Sequence, residues 1–361
     1  MEYKQYVSFI NRQKDLAFLK NFIDKQPSEL LFLHGPKSSG KTTLLYRFFD
    51  QVSKEEKLDI KFFNLRKLLL TNYRDFLQAF FEIDYSNNNK KEVKETREYD
   101  LKVFKLSVET IKGLENKTFD PFVVMERELE KLVKKGIKPV IIIDELQALD
   151  GIYFNGGRRL ITEIFNFFVA MTKESHLAHI IISSSDGYFL ETVYTDSRLK
   201  KTSEFYEINY LSQEDTLEWL LNLDKYSRIK DYRLNKEEAL KIWETVGGSM
   251  WEIQALLSKL FSRPLEEVLE EYKHKMLAIF DDYIGFNVAK TEILRFFIEQ
   301  RKRSRRDLVS LVTQFSEEKV EALLKDLVKN NILYYDPTLA IFYPQGRSLE
   351  WGIRLYFTEE V

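Results

Sequence analysis

Short apolar runs alternate with helical patterns over the first part of the chain. Five runs rich in apolar and β-branched residues are typical of strands, at 30–34, 60–64, 140–144, 179–183 and 205–208. Strands that alternate with helices along a chain usually lie side by side in one parallel sheet, with helices on both faces. The pattern therefore predicts an α/β fold with a parallel sheet from residue 28 to about residue 210.

The remainder of the chain follows a different pattern. Residues 212–283 have a helical period throughout, and three further helical patterns follow at 289–300, 304–312 and 316–330. Ser304 and Ser316 are candidate N-caps for the last two. Two apolar runs, at 332–335 and 340–343, then flank Asp336 and Pro337, which favour a turn. Three helices followed by a hairpin predict a winged helix-turn-helix.

These patterns predict a chain of three domains. An α/β parallel-sheet core is expected at 1–210, an all-helical lid at 211–284 and a winged-helix domain at 285–361. A length of 361 residues, of which 44% are hydrophobic, is enough for two or three domains with buried cores. Residues 85–99 interrupt the core with a polar, charge-rich stretch, which we interpret as a loop or insertion; a partner-binding surface is the alternative.

Composition excludes several kinds of chemistry. The chain has no cysteine, so disulfides, thiolate zinc sites and cysteine nucleophiles are excluded. His176 and His179 are three residues apart, which leaves open a shared metal site or an ordinary helix end or turn. No apolar run reaches the length of a membrane span, and the first residues do not resemble a signal peptide, so we expect a cytoplasmic protein without membrane contact. A net charge of −2 argues neither for nor against nucleic acid.

Candidate chemistry begins directly after the first predicted strand. Residues 35–42 read GPKSSGKT, which fits the GxxxxGK[ST] pattern without a gap, and a helical pattern follows. Glycines let the backbone wrap so that successive N–H groups point at phosphate oxygens. Lys41 is expected to reach the β- and γ-phosphates, and Thr42 to offer a hydroxyl to Mg²⁺. The predicted site for ATP or ADP comprises Gly35, Pro36, Lys37, Ser38, Ser39, Gly40, Lys41, Thr42 and Thr43.

A second motif ends the apolar run at 140–143. Asp144 follows it, where the carboxyl end of a central parallel strand meets the phosphate loop, and is predicted to hold Mg²⁺. Glu145 is then placed to act as general base for the attacking water. The run at 179–182 ends in serines, of which Ser184 first and Ser185 second are candidates to contact the γ-phosphate or the water. The alternative is an ordinary serine-rich turn.

At this point the chain resembles the archaeal ATPase family of the STAND and AAA+ lineage of P-loop proteins. The block FINRQKDL at 9–16 is similar to the F-x-x-R-x-x-E-L segment before the P-loop, and IIDELQ at 142–147 is similar to the second acidic motif. The resemblance implies that Arg12 lies near the base of the nucleotide and that Arg198 stabilises the transferred phosphoryl group. It also implies a nucleotide-sensing motif at 247–250, in which Met250 replaces a proline. The alternatives are a surface salt-bridge partner for Arg12 and a solvated arginine for Arg198.

The resemblance implies an ATP-driven conformational switch that hydrolyses ATP, with catalytic roles for Lys41, Glu145, Ser184 and Arg198. Three alternatives remain open: an ATP-controlled DNA-binding protein similar to archaeal replication initiators, a scaffold that binds ATP without hydrolysing it, and a small-molecule kinase. The basic segment 301–306 favours DNA, whereas acidic residues on the helix at 316–330 favour a protein partner. A homo-oligomer is a further expectation, since an arginine such as Arg198 can act on a neighbouring subunit.

Overall fold

The structure, a computed structural model, describes residues 9–55, 57–83, 103–153, 157–189, 199, 201–226, 232–285 and 287–359. Two predictions lie outside these residues: the position of Arg198 and the charge-rich stretch at 85–99. Among the described residues, no helix combines the length and apolarity needed to cross a bilayer.

The strands lie in three sheets. In chain order they are β1 (Leu30–His34), β2 (Leu58–Asn64), β3 (Phe81–Ile83), β4 (Phe104–Leu106), β5 (Lys138–Asp144), β6 (His179–Ser183), β7 (Ser203–Glu207), β8 (Arg303–Ser304), β9 (Leu333–Asp336) and β10 (Ile341–Pro344). The main sheet is parallel, with the order β2-β5-β6-β1-β7. This confirms the predicted α/β fold class, and β2, β5 and β7 each begin two residues before the apolar runs that predicted them.

Fifteen α-helices lie in the described part of the chain. They are α1 (Gln13–Asp24), α2 (Lys41–Val52), α3 (Tyr73–Phe80), α4 (Val108–Glu115), α5 (Pro121–Lys134), α6 (Leu160–Val169), α7 (Gln213–Leu221), α8 (Leu223–Tyr226), α9 (Lys236–Val246), α10 (Met250–Lys259), α11 (Leu265–Ile284), α12 (Val288–Glu299), α13 (Arg305–Leu311), α14 (Glu317–Lys329) and α15 (Arg347–Glu359). Short 3₁₀ turns follow β2 and β5, and a π-turn (Ala170–Glu174) extends α6.

Both faces of the main sheet are covered, because alternate residues of each strand point to opposite sides. On one face, Leu31 and Leu33 pack with Leu44 and Phe48 of α2. On the other, Phe32 and its neighbours pack with the aromatic helices α3 and α6. Since the central strands are buried on both faces, they need the uninterrupted apolar runs seen in the sequence.

Helices α7 to α11 form a second apolar cluster, and the C-terminal unit, residues 287–359, forms another. In the C-terminal unit, helices α12, α13 and α14 precede an antiparallel sheet with the order β8-β10-β9. Ser304 and Ser316 cap α13 and α14 through hydrogen bonds to Asp307 N and Lys319 N. These are the elements, in the order, of a winged helix.

The sequence-based expectation that the chain ends in a hairpin is wrong, because α15 follows it. Helix α15 packs along α11 and α12. Gly352 makes this close approach possible, since a Cβ there would lie 2.4 Å from the ring of Phe280. The indole N–H of Trp351 also donates to Glu244 O at 2.6 Å. The last helix thus attaches the C-terminal unit to α9 and α11.

Candidate functional site

The loop between β1 and α2 is wound tightly at the carboxyl end of the sheet. Gly35 has a φ of +145°, and a Cβ there would lie 2.1 Å from the carbonyl oxygen of Ile208. Gly40, with a φ of +94°, and Ser38, with a φ of +63°, also adopt left-handed conformations. Only glycine fits at position 35, because both the dihedral angle and the neighbouring backbone exclude a side chain. Helix α2 then begins at Lys41, with its free N–H groups at the loop.

Lys41 is buried and folds back across this loop. Its ammonium group donates to Gly35 O and Pro36 O, at 2.8 Å each. Burial lowers the pKa of Lys41 to about 8, while the negative charges of Glu145 and Asp144 act in the opposite direction. The amine is therefore a buried cation, held by backbone carbonyls, beside two carboxylates. An anion placed in the loop would compensate this charge better than the carbonyls do.

Asp144 lies at the end of β5 and meets the start of α2. The hydroxyl of Thr42 donates to Asp144 Oδ2 at 2.7 Å, across 102 residues of sequence. The other carboxylate oxygen, Oδ1, is buried and has no hydrogen-bond partner among the described residues. A hydroxyl and a carboxylate with a free oxygen fit Mg²⁺, which binds proteins through one or two oxygen ligands and keeps several waters. The two residues predicted to hold the metal are therefore adjacent.

Glu145 follows in a left-handed conformation, with φ at +65°, and its N–H donates to Ser183 O at 2.8 Å. Each of its carboxylate oxygens accepts a hydrogen bond from a side chain. Arg66 donates to Oε1 at 2.5 Å, and the Gln147 amide donates to Oε2. Burial raises the pKa of Glu145, and Arg66 opposes that rise. A carboxylate with a raised pKa, near a candidate phosphate site, is typical of a general base.

Ser184 contacts this group indirectly. It is fully buried after β6, and its hydroxyl donates to Gln147 Oε1 at 3.0 Å. Gln147 thus connects Ser184 to Glu145. Ser185 is half-buried. The serine-ended strand therefore reaches the candidate base through an amide that the sequence reasoning did not single out.

Arg12 lies against the phosphate loop. Its guanidinium donates to Ser39 O at 3.0 Å and to Asn209 O at 2.6 Å, and it pairs with Asp15 at 3.2 Å. The resemblance placed this residue near the base of the nucleotide. In the structure its guanidinium donates instead to backbone carbonyls of the phosphate loop and of the segment after β7.

The other predicted loop residues differ in exposure. Pro36 and Ser39 are buried, Lys37 and Ser38 are exposed, and Thr43 is half-buried on α2. The described residues contain no group of three metal-ligating side chains. His176 and His179 do not share a site, because His176 bonds to Pro27 O whereas His179 is buried in β6. His176 lies in the turn before β6, as the alternative interpretation has it, whereas His179 is a buried residue of β6.

Three contacts of this region were missed by sequence reasoning. Arg66 reaches Glu145 from the turn after β2. The hydroxyl of Tyr334, from β9, meets His34 Nδ1 at 2.8 Å and the N–H of Gly35. The hydroxyl of Tyr210 donates to Lys37 O at 2.7 Å. Arg66 could have been suspected because it follows a strand beside β5, but no local pattern marks the two tyrosines.

Comparison with known proteins agrees with this arrangement. A family model described as an ATPase domain predominantly from Archaea matches residues 9–256. An ATP-binding protein of Methanocaldococcus jannaschii is 32% identical over 359 residues, covering 97% of this chain and 94% of its own. An ATP-binding protein of Pyrococcus abyssi is 31% identical and covers 96% and 98%.

Two solved structures show the same fold at low sequence identity. The Walker-type ATPase PABY2304 of Pyrococcus abyssi has a TM-score of 0.65 and 16% identity, with 96% of both chains covered. The ADP form of the Aeropyrum pernix ORC2 protein has a TM-score of 0.53 and 12% identity, with 99% of this chain and 97% of that chain covered. The matched family model spans more than half of the chain, and it includes the phosphate loop, Asp144 and Ser184. The chain therefore belongs to the family of ATPase domains found predominantly in Archaea.

Proposed function

We propose that the chain binds Mg-ATP at residues 35–43 and hydrolyses it to ADP and phosphate, acting as a conformational switch. The observation that carries this proposal is the contact between Thr42 and Asp144, 2.7 Å apart. It joins the end of the phosphate loop to the acidic end of β5, so that a hydroxyl and a carboxylate lie beside a buried lysine.

Nucleotide binding follows from the loop geometry. The backbone N–H groups of the loop and the first turn of α2 offer donors and a positive dipole to the β- and γ-phosphates. Lys41 exchanges its two carbonyl contacts for phosphate oxygens, and the new anion raises its pKa again. Thr42 and Asp144 would hold Mg²⁺, which would neutralise charge on the phosphates.

Hydrolysis requires a water activated by Glu145. Its carboxylate is held by Arg66 and Gln147, and the positive charge of Arg66 lowers its pKa and so makes it a weaker base. This restraint is consistent with slow or partner-regulated turnover. Ser184 is the proposed contact to the γ-phosphate or the water, and Gln147 connects its hydroxyl to Glu145. We keep Arg198 as the proposed residue that stabilises the transferred phosphoryl group, within one chain or between subunits.

The switch acts through the rest of the chain. We propose a core at 1–210, a lid at 211–284, formed by α7 to α11, and a winged-helix domain at 285–361. The C-terminal unit contacts the core beside the phosphate loop, through Tyr334 with His34 and through Tyr343, whose hydroxyl donates to Glu207 at 2.9 Å. A change in the conformation of the loop can therefore act directly on the winged helix and, through it, on the proposed protein partner.

Single-turnover hydrolysis tests the proposal. The wild-type chain is expected to convert ATP to ADP and phosphate, and Glu145→Gln to do so about 100-fold more slowly or worse, while keeping its affinity. Lys41→Ala is expected to weaken binding strongly. Glu128→Gln on α5 and Lys54→Ala after α2 are matched controls, because both residues are distant from the loop. Equal rates for wild type and Glu145→Gln would reject Glu145 as the base, and unchanged affinity in Lys41→Ala would reject the binding site.

ATP-controlled DNA binding is the second candidate, because 301–306 contains four arginines and a lysine. Three of these basic residues form ion pairs within the chain: Arg301 with Glu350, Arg303 with Glu299, and Arg305 with Glu321. Contacts to DNA phosphates would have to compete with these pairs, so we favour a protein partner. Retention of duplex DNA that falls steeply between about 50 and 200 mM salt would reverse this preference. No retention at the lower concentration would remove the DNA function.

A further inference from the structure

The outer side of the phosphate loop is held by two side chains. Tyr210 donates its hydroxyl to Lys37 O at 2.7 Å, and Arg12 donates to Ser39 O at 3.0 Å. In a loop whose N–H groups point inward at an anion, carbonyls point outward and need partners of their own. A donor on an outward carbonyl therefore favours the loop conformation that binds phosphate.

Tyr210 lies at the point where the core passes into the lid. The residue before it, Asn209, accepts the second hydrogen bond from Arg12. The residue after it, Leu211, donates to Gly248 O at 3.2 Å, and a Cβ on Gly248 would lie 2.0 Å from Leu211 O. The backbone on one side of Tyr210 is thus bonded to the core, and the backbone on the other side is packed against the lid.

The C-terminal unit also meets Tyr210. A Cβ added at Gly346, which precedes α15, would lie 3.5 Å from the Tyr210 hydroxyl, and Gly346 has a φ of +102°. Burial raises the pKa of Tyr210, so its hydroxyl keeps its proton and remains a donor in the ordinary pH range. One hydroxyl thus bonds to the phosphate loop and lies near Gly346 of the C-terminal unit.

We propose that Tyr210 is a positioning residue that sets the conformation of the phosphate loop and transmits its occupancy to the lid and the C-terminal unit. The inference deepens the proposed function and rests on it. When phosphates enter the loop and Lys41 leaves Gly35 O and Pro36 O, any movement of Lys37 O acts directly on Tyr210. Leu211 is then expected to move with it, because its backbone is packed tightly against Gly248.

The test compares Tyr210→Phe with Tyr283→Phe. The first removes only the hydroxyl on Lys37 O. The second removes a hydroxyl that donates to Asp326 at 2.6 Å, far from the phosphate loop. Titration of a fluorescent ADP analogue, and its displacement by inorganic pyrophosphate, measures affinity for the phosphates. We expect Tyr210→Phe to lose about fivefold for both ligands, as one neutral hydrogen bond allows, and Tyr283→Phe to match wild type.

Hydrogen exchange at saturating nucleotide measures the transmission. In wild type, nucleotide should slow exchange in 213–226 and 333–346. In Tyr210→Phe this protection should fall to less than half, although the site is full. A Tyr210→Phe variant with wild-type affinity and protection would overturn the inference, and so would equal losses in both variants. If the wild-type chain binds neither the ADP analogue nor pyrophosphate, the proposed ATP function is rejected. This outcome differs from those that reject only the role of Tyr210.

Discussion

Arg66 and Glu145 form an ion pair at 2.5 Å, although 79 residues separate them in sequence. Arg66 comes from the turn after β2 and Glu145 from the end of β5, which are neighbouring parallel strands. The side chain of Glu145 is only 10% exposed, whereas that of Arg66 is 59% exposed. A largely exposed arginine therefore restrains a buried candidate base, and it can be removed without emptying the core.

The first prediction concerns the pH dependence of hydrolysis. Burial raises the pKa of Glu145, and the positive charge of Arg66 lowers it. Arg66→Ala removes that charge and should therefore raise the pKa of Glu145 further. A general base must be ionised, so the pH at which the single-turnover rate falls to half should move upward. Lys67→Ala, at the next position, leaves the ion pair intact and should keep the wild-type profile. A downward shift for Arg66→Ala would contradict the assignment of Glu145.

The second prediction concerns magnesium. If Asp144 and Thr42 hold the ion, Mg²⁺ should strengthen ATP binding by wild type about tenfold or more, and Asp144→Asn should lose most of this gain. Affinity measured in EDTA should change little, because Lys41 and the loop backbone remain. Asp150→Asn is the matched control, since Asp150 follows the same strand and pairs with Arg159 at the surface. Isothermal titration with and without Mg²⁺ distinguishes the outcomes, and an intact magnesium effect in Asp144→Asn would exclude Asp144 as a ligand.

The third prediction concerns Gly35. A methyl group there would lie 2.1 Å from Ile208 O, and the φ of +145° is strained for any other residue. Gly35→Ala should therefore destabilise the fold by about 2 kcal/mol or more and abolish ATP binding. Gly136→Ala is the comparison, because Gly136 also has a positive φ, +74°, but an added Cβ meets nothing within 4 Å. That variant should be strained locally and still bind ATP. Equal ATP binding by both variants would show that the contact with Ile208 does not shape the loop.

The fourth prediction concerns stability in acid. Burial lowers the pKa of His34 and of His179 to about 4. Between that value and about 6.5 the unfolded chain binds protons that the folded chain does not, so stability decreases as pH falls through this window. The slope from each histidine is at most about 1.4 kcal/mol per pH unit.

Urea unfolding at several pH values between 7 and 4.5 measures this slope. His34→Gln and His179→Gln should each reduce it, even if both variants are less stable at pH 7. His274→Gln, at an exposed position on α11, is the control for the loss of a histidine. A slope that survives both buried substitutions would place the acid sensitivity elsewhere.

The sequence by itself determined the strands of the main sheet and the phosphate motif. Strands buried on both faces need continuous apolar runs, and a glycine loop between a strand and a helix requires fixed residue types at fixed spacing. Both features depend on backbone conformation over a few residues. The predicted caps Ser304 and Ser316 belong to the same class, since an N-cap bonds within its own first turn.

Only the tertiary structure decided which side chains restrain the site. The partners of Glu145, Arg12 and His34 come from elements whose order in the sheet, or whose docking on it, no local pattern encodes. Tyr334 is 300 residues from His34 in sequence. Arg12 donates its hydrogen bonds to backbone carbonyls, whereas the resemblance placed it near the base of the nucleotide. Helix α15 was missed for a related reason: its stability comes from packing on α11 and α12, and its glycine counts against a helix until Phe280 is seen beside it. Local sequence specifies backbone geometry, whereas contacts between distant elements depend on how their surfaces fit once the chain has folded.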